Sequence, residues 1–381
     1  MSPDHHGPKN GARQDSELET GVNRPPTSPV SRALWNFSSQ WFLVPQGTGI
    51  ISLILHQLDY QFRGLAIISV IAWIYTIALL TAGVSLYLLR VLMYPRHVAH
   101  ALRTSMIETA CLASISITFT LIIQMIVLVL VRQWGSAWGI VAYVLWWINT
   151  AMAVISVMGI PYFFVKVQSP GVKAVTPCVL LPLIAAPTSA AGGGVICRYA
   201  LSVTVYKFPS LLSLTLKSFP PLEQIYQDMI LCGPFGQGSF ALQALGQAVL
   251  RGSFAGYDQG TFLTAEAAKP IAFTSQFAGL LAWGYGTFWW IFAIISIIHT
   301  CISQPGGIRH SHFTLSAWAL VFPMGVYTNA AVQLGKIMDS PAFKVWSTVL
   351  LLLLVIIWAV NHIFTIKGMN TGEIWGTRWT D

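Results

Sequence analysis

Residues 41–50 read WFLVPQGTGI. This apolar stretch contains five residues that an ordinary buried helix seldom carries: Pro45, Gln46, Gly47, Thr48 and Gly49. Proline has no backbone amide hydrogen and kinks a helix, whereas glycine allows another backbone or a ligand to come close. Related runs return as PFGQG at 234–238 and PMG at 323–325. Freed backbone groups are tolerated within a bilayer only where they face protein or a water-filled cavity. The repeated pattern therefore predicts broken helices around a path through a membrane.

The composition predicts a membrane protein with many crossings. The chain has 381 residues, of which 55% are hydrophobic and 9% are charged, whereas soluble domains have about 25% charged residues. Residues 1–30 are polar and lack the apolar core of a signal peptide. We expect a disordered cytoplasmic tail at 1–34, a transmembrane domain at 35–367 and a short cytoplasmic tail at 368–381. The five cysteines lack the spacing of a metal site, so we expect neither a metal nor a cofactor.

The formal net charge of +8 has two interpretations, and neither involves nucleic acid. Lysine and arginine collect in cytoplasmic loops, so membrane topology alone explains a basic chain. The same charges could also attract anions to the mouths of a pore. We favour topology as the main cause, although both could hold. Because the basic residues are more numerous on one side when both termini lie in the cytoplasm, that orientation is predicted for a multi-pass protein of the plasma membrane.

Ten segments are apolar enough to be membrane spans, each of which needs about 20 residues. They are roughly 41–57, 65–90, 104–131, 138–165, 174–192, 195–216, 231–250, 271–301, 312–335 and 344–367. The sixth segment is unusual because it contains Arg198, Lys207 and Pro209, and charged residues are costly at the middle of a bilayer. It could be a poor span or a re-entrant segment. If it did not cross, every later loop would change sides.

Helix breakers alternate along these segments. The first, fifth, seventh and ninth segments contain them, as Pro45, then Pro177, Pro182 and Pro187, then Pro234, and finally Pro323. The even segments are smoother and more like lipid-facing helices, which need continuous backbone pairing. The alternation predicts an all-α polytopic membrane protein. Its ten transmembrane helices would form five helical hairpins, with odd helices inside around a central pore and even helices outside.

Four motifs carry a resemblance to a known family: PQGTGI at 45–50, PTSAAGGG at 187–194, GPFGQGSF at 233–240 and FPMGVYTN at 322–329. With these motifs in order, the chain from Trp35 to Trp379 resembles the tellurite-resistance/dicarboxylate transporter family. That family includes the plant guard-cell slow anion channels, and within it the chain is most similar to the fungal sulfite efflux pumps. Two features depart from the family pattern. The third segment lacks the kink-forming proline, and the sixth is short and basic.

The resemblance implies odd helices that line a pore, and a homo-oligomer, trimeric in relatives, whose subunits each have their own pore. It also implies that an aromatic residue beside the kink of the ninth helix obstructs the pore. Phe322 occupies that position and is the predicted pore gate. Phe235, which follows Pro234, is a weaker second candidate. The alternative for both rings is ordinary packing beside a proline.

An anion that crosses hydrocarbon needs groups that replace its water and then release it. Amides, hydroxyls and helix N-termini bind anions more weakly than fixed cations do, which suits conduction. We predict that the anion path is lined by residues on or beside the helix breakers: Pro45, Gln46, Gly47, Thr48, Gly49, Pro187, Thr188, Ser189, Pro234, Phe235, Gly236, Gln237, Gly238, Ser239, Pro323, Gly325 and Thr328. The alternative is that the polar members of this set satisfy kinks or join helices.

Glu108 lies near the start of the third segment and is the candidate for coupling transport to protons, because ionisable groups inside a membrane are commonly functional. The alternative is an interfacial, partly hydrated carboxylate.

The sequence favours a transporter over an enzyme, since it has no paired metal ligands, nucleophile elbow or phosphate loop. By resemblance, we expect an exporter of sulfite or bisulfite. A malate-type dicarboxylate transporter and a slow-type anion channel are the alternatives within the family. A dicarboxylate would favour a fixed cation in the pore, and no arginine or lysine falls at the middle of an odd segment. A receptor or scaffold that transports nothing is the alternative from another class.

Overall fold

A computed structural model describes residues 26–168, 177–199, 228–253, 264–303 and 313–375, and these residues are almost entirely helical. The described part contains nine long helices: α1 (Leu43–Gln57), α2 (Leu65–Met93), α3 (Met106–Trp134), α4 (Ala137–Gln168), α5 (Pro177–Tyr199), α6 (Gly233–Ala248), α7 (Ala265–Ser303), α8 (Leu315–Ile337) and α9 (Pro341–Asn370). By length and composition, seven of them could cross a membrane, namely all except α1 and α6. The all-helical prediction is therefore confirmed for the described residues.

The prolines do not break the middle of most helices. Inner helices α1, α5, α6 and α8 each begin with a short 3₁₀ turn and then become α-helical, at residues 43, 181, 233 and 321. Pro45, Pro182, Pro234 and Pro323 lie at the second or third α-helical residue, where an amide hydrogen has no partner to lose. Pro187 lies inside its helix. The predicted breaks are thus mostly changes from 3₁₀ to α-helical geometry near the start of each helix. The sequence predicted that the pattern repeats, but not this change of helix type.

The third helix has irregularities of its own without a proline. Its α-helical geometry is interrupted by a turn at Cys111 and Leu112, and again by a π-helical segment at Ile126–Leu130. A Ser105 hydroxyl caps its start by accepting a hydrogen bond from the amide of Glu108 at 3.2 Å.

Five helices form a closed ring. Following the chain, α1 packs against α3, α3 against α5, α5 against α6, α6 against α8, and α8 returns to α1. These inner helices are buried. Every residue of α1 except His56 is buried, as are 94% of the residues in an apolar 18-residue stretch of α8. We call the space that the five helices enclose the ring interior.

The other four long helices lie outside the ring, in the grooves between its members. Helix α2 packs on α1 and α3, α4 on α3 and α5, α7 on α6 and α8, and α9 on α8 and α1. They expose isoleucine, leucine, valine and phenylalanine side chains. Only 11% of the residues in an apolar 18-residue stretch of α7 are buried. Among the described helices, the inner ones correspond to odd segments of the sequence and the outer ones to even segments.

The fifth helix is longer than predicted. The sequence placed its end at residue 192 and the start of a sixth span at 195, but α5 continues to Tyr199. Its three glycines lie within the helix, and each allows close approach of a neighbour. A Cβ atom would lie 2.8 Å from Thr120 Cγ2 at Gly192, 2.8 Å from Trp146 Cζ2 at Gly193 and 3.0 Å from Ala244 Cβ at Gly194. The rest of the predicted sixth span, 200–216, lies outside the described residues.

Both predicted tails contain structure at their inner ends. Residues Pro29–Trp35 form a helix, which corrects the disordered tail predicted at 1–34 over that stretch. Helix α9 extends to Asn370, and the chain then turns back, with the Ile374 amide donating to the Gly368 carbonyl at 3.3 Å. Trp375 stacks on Trp41 with ring centroids 5.0 Å apart. The two ends of the described chain therefore lie together at the end of the ring where the inner helices begin, which we call the N-terminal end of the ring.

Candidate functional site

The faces of α8 show which of its side chains point into the ring interior. Gly325 contacts Ile50 of α1, and the carbonyl of Ala330 accepts a hydrogen bond from Gln243 of α6 at 3.5 Å. Phe322 and Asn329 lie on the face between these two contacts. Both are buried, with Phe322 only 1% exposed and Asn329 0%. The structure thus places the predicted gate residue on the interior face of the ring.

Thr328, another predicted lining residue on α8, does not face the interior. Gly335 packs on α9 at Lys344, and Thr328, seven residues earlier, lies on the same face of the helix. Its hydroxyl donates to the Met324 carbonyl at 2.8 Å, within its own helix. Thr328 is therefore directed toward an outer helix, although it is adjacent in sequence to the interior residue Asn329.

Helix α1 directs Gln46 inward and Thr48 outward. Gly47 and Ile50 face α8, whereas Gly49 faces α2 and α3. Gln46 lies on the face between the α8 and α3 contacts, so it points into the ring interior. The Thr48 hydroxyl instead accepts a hydrogen bond from the indole of Trp358 on α9, at 3.1 Å. Of the two polar candidates in the opening motif, one faces the interior and the other joins an outer helix.

Helix α3 contributes an interior residue that the sequence analysis missed. Its Thr120 contacts Gly192 of α5, and its Leu121 contacts Gly49 of α1. Gln124 follows these residues by four and three positions, so it lies on the face between both neighbours and points into the ring interior. The sequence did hold a signal, because Gln124 is the only carboxamide in the apolar run from Phe119 to Val131.

Helix α5 separates its two neighbouring hydroxyl residues. Ile184 contacts α6 and Gly192 contacts α3, and Thr188 lies midway between them on the interior face. Its hydroxyl donates to the Ile184 carbonyl at 2.7 Å, which leaves oxygen lone pairs to accept. Ser189 faces α4 instead, where its hydroxyl lies 2.8 Å from that of Thr150. Thr188 remains a lining candidate, whereas Ser189 joins helices.

Helix α6 carries a second buried aromatic ring on the interior face. Gly236 contacts the α8 backbone and Ala244 contacts Gly194 of α5, and Phe240 lies four residues from each. Phe240 is 1% exposed. Phe235, the second gate candidate predicted from the sequence, does not face the interior. Its ring packs edge-on against Tyr285 of outer helix α7, with centroids 4.6 Å apart.

The remaining α6 candidates serve different contacts. Ser239 donates to the Gly279 carbonyl of α7 at 2.7 Å, so it does not face the ring interior. Gln237 is buried on the side that faces α5, four residues after Gly233. A Cβ atom at Gly236 would lie 2.7 Å from the amide nitrogen of Tyr327, whereas one at Gly238 would meet nothing within 4 Å. Most of the predicted glycines therefore permit helix packing rather than line a path.

Three buried carboxamides on interior faces are the unusual feature of the ring. Gln46, Gln124 and Asn329 are 0% exposed, and within the described part of the chain neither polar atom of any of them has a hydrogen-bond partner. An unpartnered buried polar group costs about 1–3 kcal/mol. Each carboxamide offers two N–H donors and one oxygen acceptor without a net charge. The ring interior can therefore bind a small polar or anionic solute weakly at several points.

Glu108, the predicted proton-coupling residue, lies at the N-terminal end of the ring, where each of its carboxylate oxygens accepts a hydrogen bond. Arg90 of α2 donates from Nη1 to its Oε1 at 2.6 Å, and the Ser39 amide donates to its Oε2 at 3.1 Å. The Ser39 hydroxyl donates to the Glu108 carbonyl at 2.6 Å. The carboxylate thus joins the ends of α1, α2 and α3, away from the interior positions described above.

No group of three or more histidine, cysteine, aspartate or glutamate residues that could hold a metal ion occurs among the described residues. The chemistry of the ring interior is instead that of carboxamides, one threonine hydroxyl, two phenylalanine rings and aliphatic side chains.

Comparisons with known proteins identify the family of the chain. The chain is 27% identical over 370 residues to the sulfite efflux pump SSU1 of Trichophyton rubrum, covering 90% of this chain and 93% of that protein. It is 23% identical over 374 residues to a malic acid transport protein of Schizosaccharomyces pombe, covering 92% and 82% of the two chains. The family model described as voltage-dependent anion channel matches residues 36–366. The chain therefore belongs to the voltage-dependent anion channel family.

Proposed function

We propose that this protein exports sulfite or hydrogensulfite from the cytoplasm across the plasma membrane, through the ring interior. The observation that carries the proposal is the set of unpartnered carboxamides of Gln46, Gln124 and Asn329, which lie on the interior faces of three different inner helices. The named function of the Trichophyton rubrum relative supports sulfite as the transported anion.

Neutral hydrogen-bond donors suit anion transport through the ring interior better than fixed positive charges do. An anion in a low-dielectric interior is held strongly by an ammonium or guanidinium group, and strong binding slows release. Carboxamides compensate part of the lost hydration and let the ion move on. The interior positions assigned above include no lysine or arginine, which favours a small monovalent anion over a dicarboxylate.

Hydrogensulfite fits carboxamides particularly well, because it accepts hydrogen bonds through its oxygens and also carries a proton. A carboxamide can donate from nitrogen and accept at oxygen, so one side chain can satisfy both kinds of group.

Phe322 and Phe240 act as the gate in this proposal. Both rings lie on the interior face and are almost fully buried, which supports a closed gate in this proposal. Opening requires a rotation of one or both rings or a small movement of α6 relative to α8. The sequence had suggested Phe322, with Phe235 as a weaker second candidate, and in this proposal Phe240 takes the place of Phe235.

Glu108 is proposed to anchor helix ends rather than to carry protons. Both of its carboxylate oxygens are engaged, one of them by a buried arginine. Buried ion pairs of this kind lose much stability when one partner is neutralised, which would make the group a poor reversible proton carrier.

The orientation and assembly remain part of the proposal. The basic residues favour cytoplasmic termini, and the contact between Trp41 and Trp375 supports both chain ends on the same side. The proposal that the protein forms a homotrimer is based on the family resemblance alone.

Flux measurements in proteoliposomes test the function. Full-length protein is reconstituted, and the movement of labelled sulfite and labelled malate is followed with and without a pH gradient. Protein-dependent sulfite flux supports the proposal. Flux of malate alone would assign the protein to the dicarboxylate alternative, and absence of flux for both anions would reject transport. Dependence on the pH gradient distinguishes a proton-coupled carrier from a channel.

A further inference from the structure

Three arginines surround one tyrosine where three inner helices end. Arg132 belongs to the last turn of α3, Arg198 and Tyr199 end α5, and Arg251 follows α6. The guanidinium carbon lies 4.9 Å from the centre of the Tyr199 ring for Arg198, 5.3 Å for Arg251 and 5.9 Å for Arg132. We call this group the arginine cluster.

Within the part of the chain that the structure describes, no carboxylate pairs with the arginine cluster. Arg251 donates to the carbonyl of Arg198 at 2.9 Å, and Arg198 donates to the Gln333 side-chain oxygen at 3.3 Å. The Arg198 Nε atom is buried and has no partner in the described ranges of the chain. Like charges at this separation repel each other. A helix C-terminus favours a nearby cation, yet that effect does not require three cations around one ring.

The cluster lies at the mouth of the ring interior. Arg198 reaches Gln333 of α8, which donates in turn to the side-chain oxygen of Gln57 on α1. Lys336 donates to the Gln57 carbonyl, which adds a fourth cation to the same end of the ring. This is the end opposite the one where Trp41 meets Trp375, and in the proposed orientation an exported anion would leave through it.

We infer that Arg132, Arg198 and Arg251 form a binding site for a small oxyanion at the exit mouth of the ring. This inference rests on the proposed function for the direction of transport, but not for the existence of the site. Guanidinium groups present paired N–H donors that match the oxygens of sulfite or sulfate, and three of them can surround one such ion. The site collects an anion that leaves the neutral interior and holds it in a hydrated, positively charged vestibule.

A lipid phosphate shares this chemistry, and two observations favour a free ion. Arg198 is only partly exposed, and it is bonded to Gln333, a residue of the ring itself. A lipid headgroup approaching from the bilayer would reach the exposed Arg132 and Arg251 first. The occupant assigned here is the free oxyanion, and the experiment separates it from lipid.

Direct binding tests the site without any need for transport. Full-length protein is placed in phosphatidylcholine nanodiscs and titrated calorimetrically with sulfate and with sulfite at constant ionic strength. Arg251→Gln and Arg132→Gln should each weaken sulfate binding by about fivefold to tenfold, as expected for the loss of one charge-assisted contact. Tyr199→Phe should bind like the wild type, because it retains the ring.

The matched control is Arg63→Gln. Arg63 is an exposed arginine in the turn between α1 and α2, at the same end of the ring, and it has no contact with the Tyr199 ring. It should leave sulfate affinity unchanged. Equal affinities for wild type, Arg132→Gln and Arg251→Gln would overturn the inference, as would an equal loss in Arg63→Gln.

Two further outcomes are informative. If wild-type protein binds sulfate only weakly in phosphatidylcholine, and Arg251→Gln loses binding of anionic lipid instead, the occupant is lipid and the inference is wrong. If wild-type protein shows no sulfite flux but loses sulfate binding in Arg251→Gln, the proposed function fails while the site stands.

Discussion

Gln124 is a polar side chain that the fold itself does not use. Its carboxamide is buried in α3 and has no partner within the described residues. Replacing an unsatisfied polar group with an apolar one of similar shape is neutral or stabilising. We therefore expect Gln124→Leu to keep or raise the midpoint of thermal unfolding, measured by fluorescence in detergent. Sulfite flux should fall by about tenfold, which corresponds to about 1.4 kcal/mol in the barrier.

Asn149 provides the control for Gln124. Its carboxamide is also 0% exposed, but it donates to the Thr120 hydroxyl at 2.5 Å and accepts from the Ser116 hydroxyl at 3.0 Å. Asn149→Leu removes both contacts and leaves the Ser116 hydroxyl without its acceptor, whereas Thr120 keeps its bond to the Ser116 carbonyl at 3.1 Å. Stability should therefore fall by about 1–3 kcal/mol. If Gln124→Leu destabilises the protein as much as Asn149→Leu does, the carboxamide of Gln124 is structural and its assignment to the anion path is wrong.

Phe322 lies on the interior face of α8 and is predicted to obstruct the path. Truncating it to alanine should raise sulfite flux by about tenfold per folded molecule, if the ring contributes about 1.4 kcal/mol to the barrier. The cavity left behind lowers stability, typically by about 3–5 kcal/mol. Flux is therefore divided by the amount of monodisperse protein recovered from the liposomes.

Phe235→Ala is the control for the gate. Phe235 packs against Tyr285 on outer helix α7, so its loss should affect stability but not flux. Phe240→Ala should raise flux as Phe322→Ala does. Unchanged or lower flux in Phe322→Ala, or an equal increase in Phe235→Ala, would contradict the gate.

For single residues, the sequence predicted which kinds of side chain line the ring interior better than it predicted which individual residues do so. Gln46 and Thr188 were chosen from their proximity to helix breakers, and Phe322 from the family resemblance, and all three face the ring interior. Thr48, Ser189, Ser239 and Thr328 were chosen by the same reasoning but face outer helices. A shift of one position turns a helical side chain by about 100°, so direction depends on where the neighbouring helices pack. That information is absent from a local motif, and it also explains why Gln124, Phe240 and Asn329 were missed.

The contact between α6 and α8 depends on the absence of a side chain at Gly236. An added Cβ atom there would lie 2.7 Å from the Tyr327 amide nitrogen and 2.9 Å from its Cα. Because backbone atoms cannot rotate away, Gly236→Ala forces the helices apart. We expect a loss of about 1–3 kcal/mol in stability, typical of overpacking, measured as a lower midpoint of thermal unfolding.

Gly238, two residues along the same helix, is the matched control. An added Cβ would meet no atom within 4 Å, and alanine is favoured over glycine in a helix by about 1 kcal/mol. Gly238→Ala should therefore be neutral or stabilising. Equal destabilisation by both substitutions would show that helix contact is not what Gly236 provides.

The helical elements were largely predictable, because long apolar runs determine them, but their ends were not. The apolar run of α2 ends at Arg90 in sequence, and the helix ends three residues later at Met93. The end of α5 was placed seven residues too early, because its three glycines look like a loop by local preference. Packing against Thr120, Trp146 and Ala244 overrides that preference. Most of the prolines likewise mark the starts of inner helices rather than breaks at their centres, with Pro187 inside α5 as the exception.

On the scale of the whole molecule, the Arg90–Glu108 ion pair holds together the N-terminal end of the ring. Neutralising Glu108 as Glu108→Gln leaves a buried guanidinium without its counter-charge, which costs about 3–5 kcal/mol. We expect a marked fall in the thermal midpoint. The double variant Arg90→Met with Glu108→Met should recover most of the loss, because an apolar pair needs no counter-charge.

The same double variant tests the role of Glu108 in proton coupling. If it folds and its sulfite flux responds to a pH gradient as the wild type does, the carboxylate only anchors helix ends. If flux persists but its dependence on the pH gradient disappears, Glu108 is the coupling residue and the anchoring role proposed here is incomplete.

The overall plan of inner and outer helices could be predicted from the alternation of breakers and smooth apolar segments. Lipid-facing helices tolerate few interruptions, so this signal has a physical basis. It is not strict, since inner helix α3 has no proline and outer helices α4 and α7 contain Pro161 and Pro270. The order of packing within the ring could not be predicted, since it depends on contacts between segments far apart in sequence, such as Ile50 with Gly325. The arginine cluster was missed for the same reason, because its members come from three different helices.

The most direct test of the central claim, an anion path through the ring interior, compares two adjacent residues of α8. In the Phe322→Ala background, Asn329→Cys and Thr328→Cys are each reconstituted, treated with a negatively charged thiol reagent during sulfite flux, and compared with Phe322→Ala itself. Asn329 lies on the interior face and Thr328 faces α9. The account predicts that the reagent blocks flux through Asn329→Cys and leaves Thr328→Cys unaffected. Block of Thr328→Cys alone, or of neither variant, would contradict it.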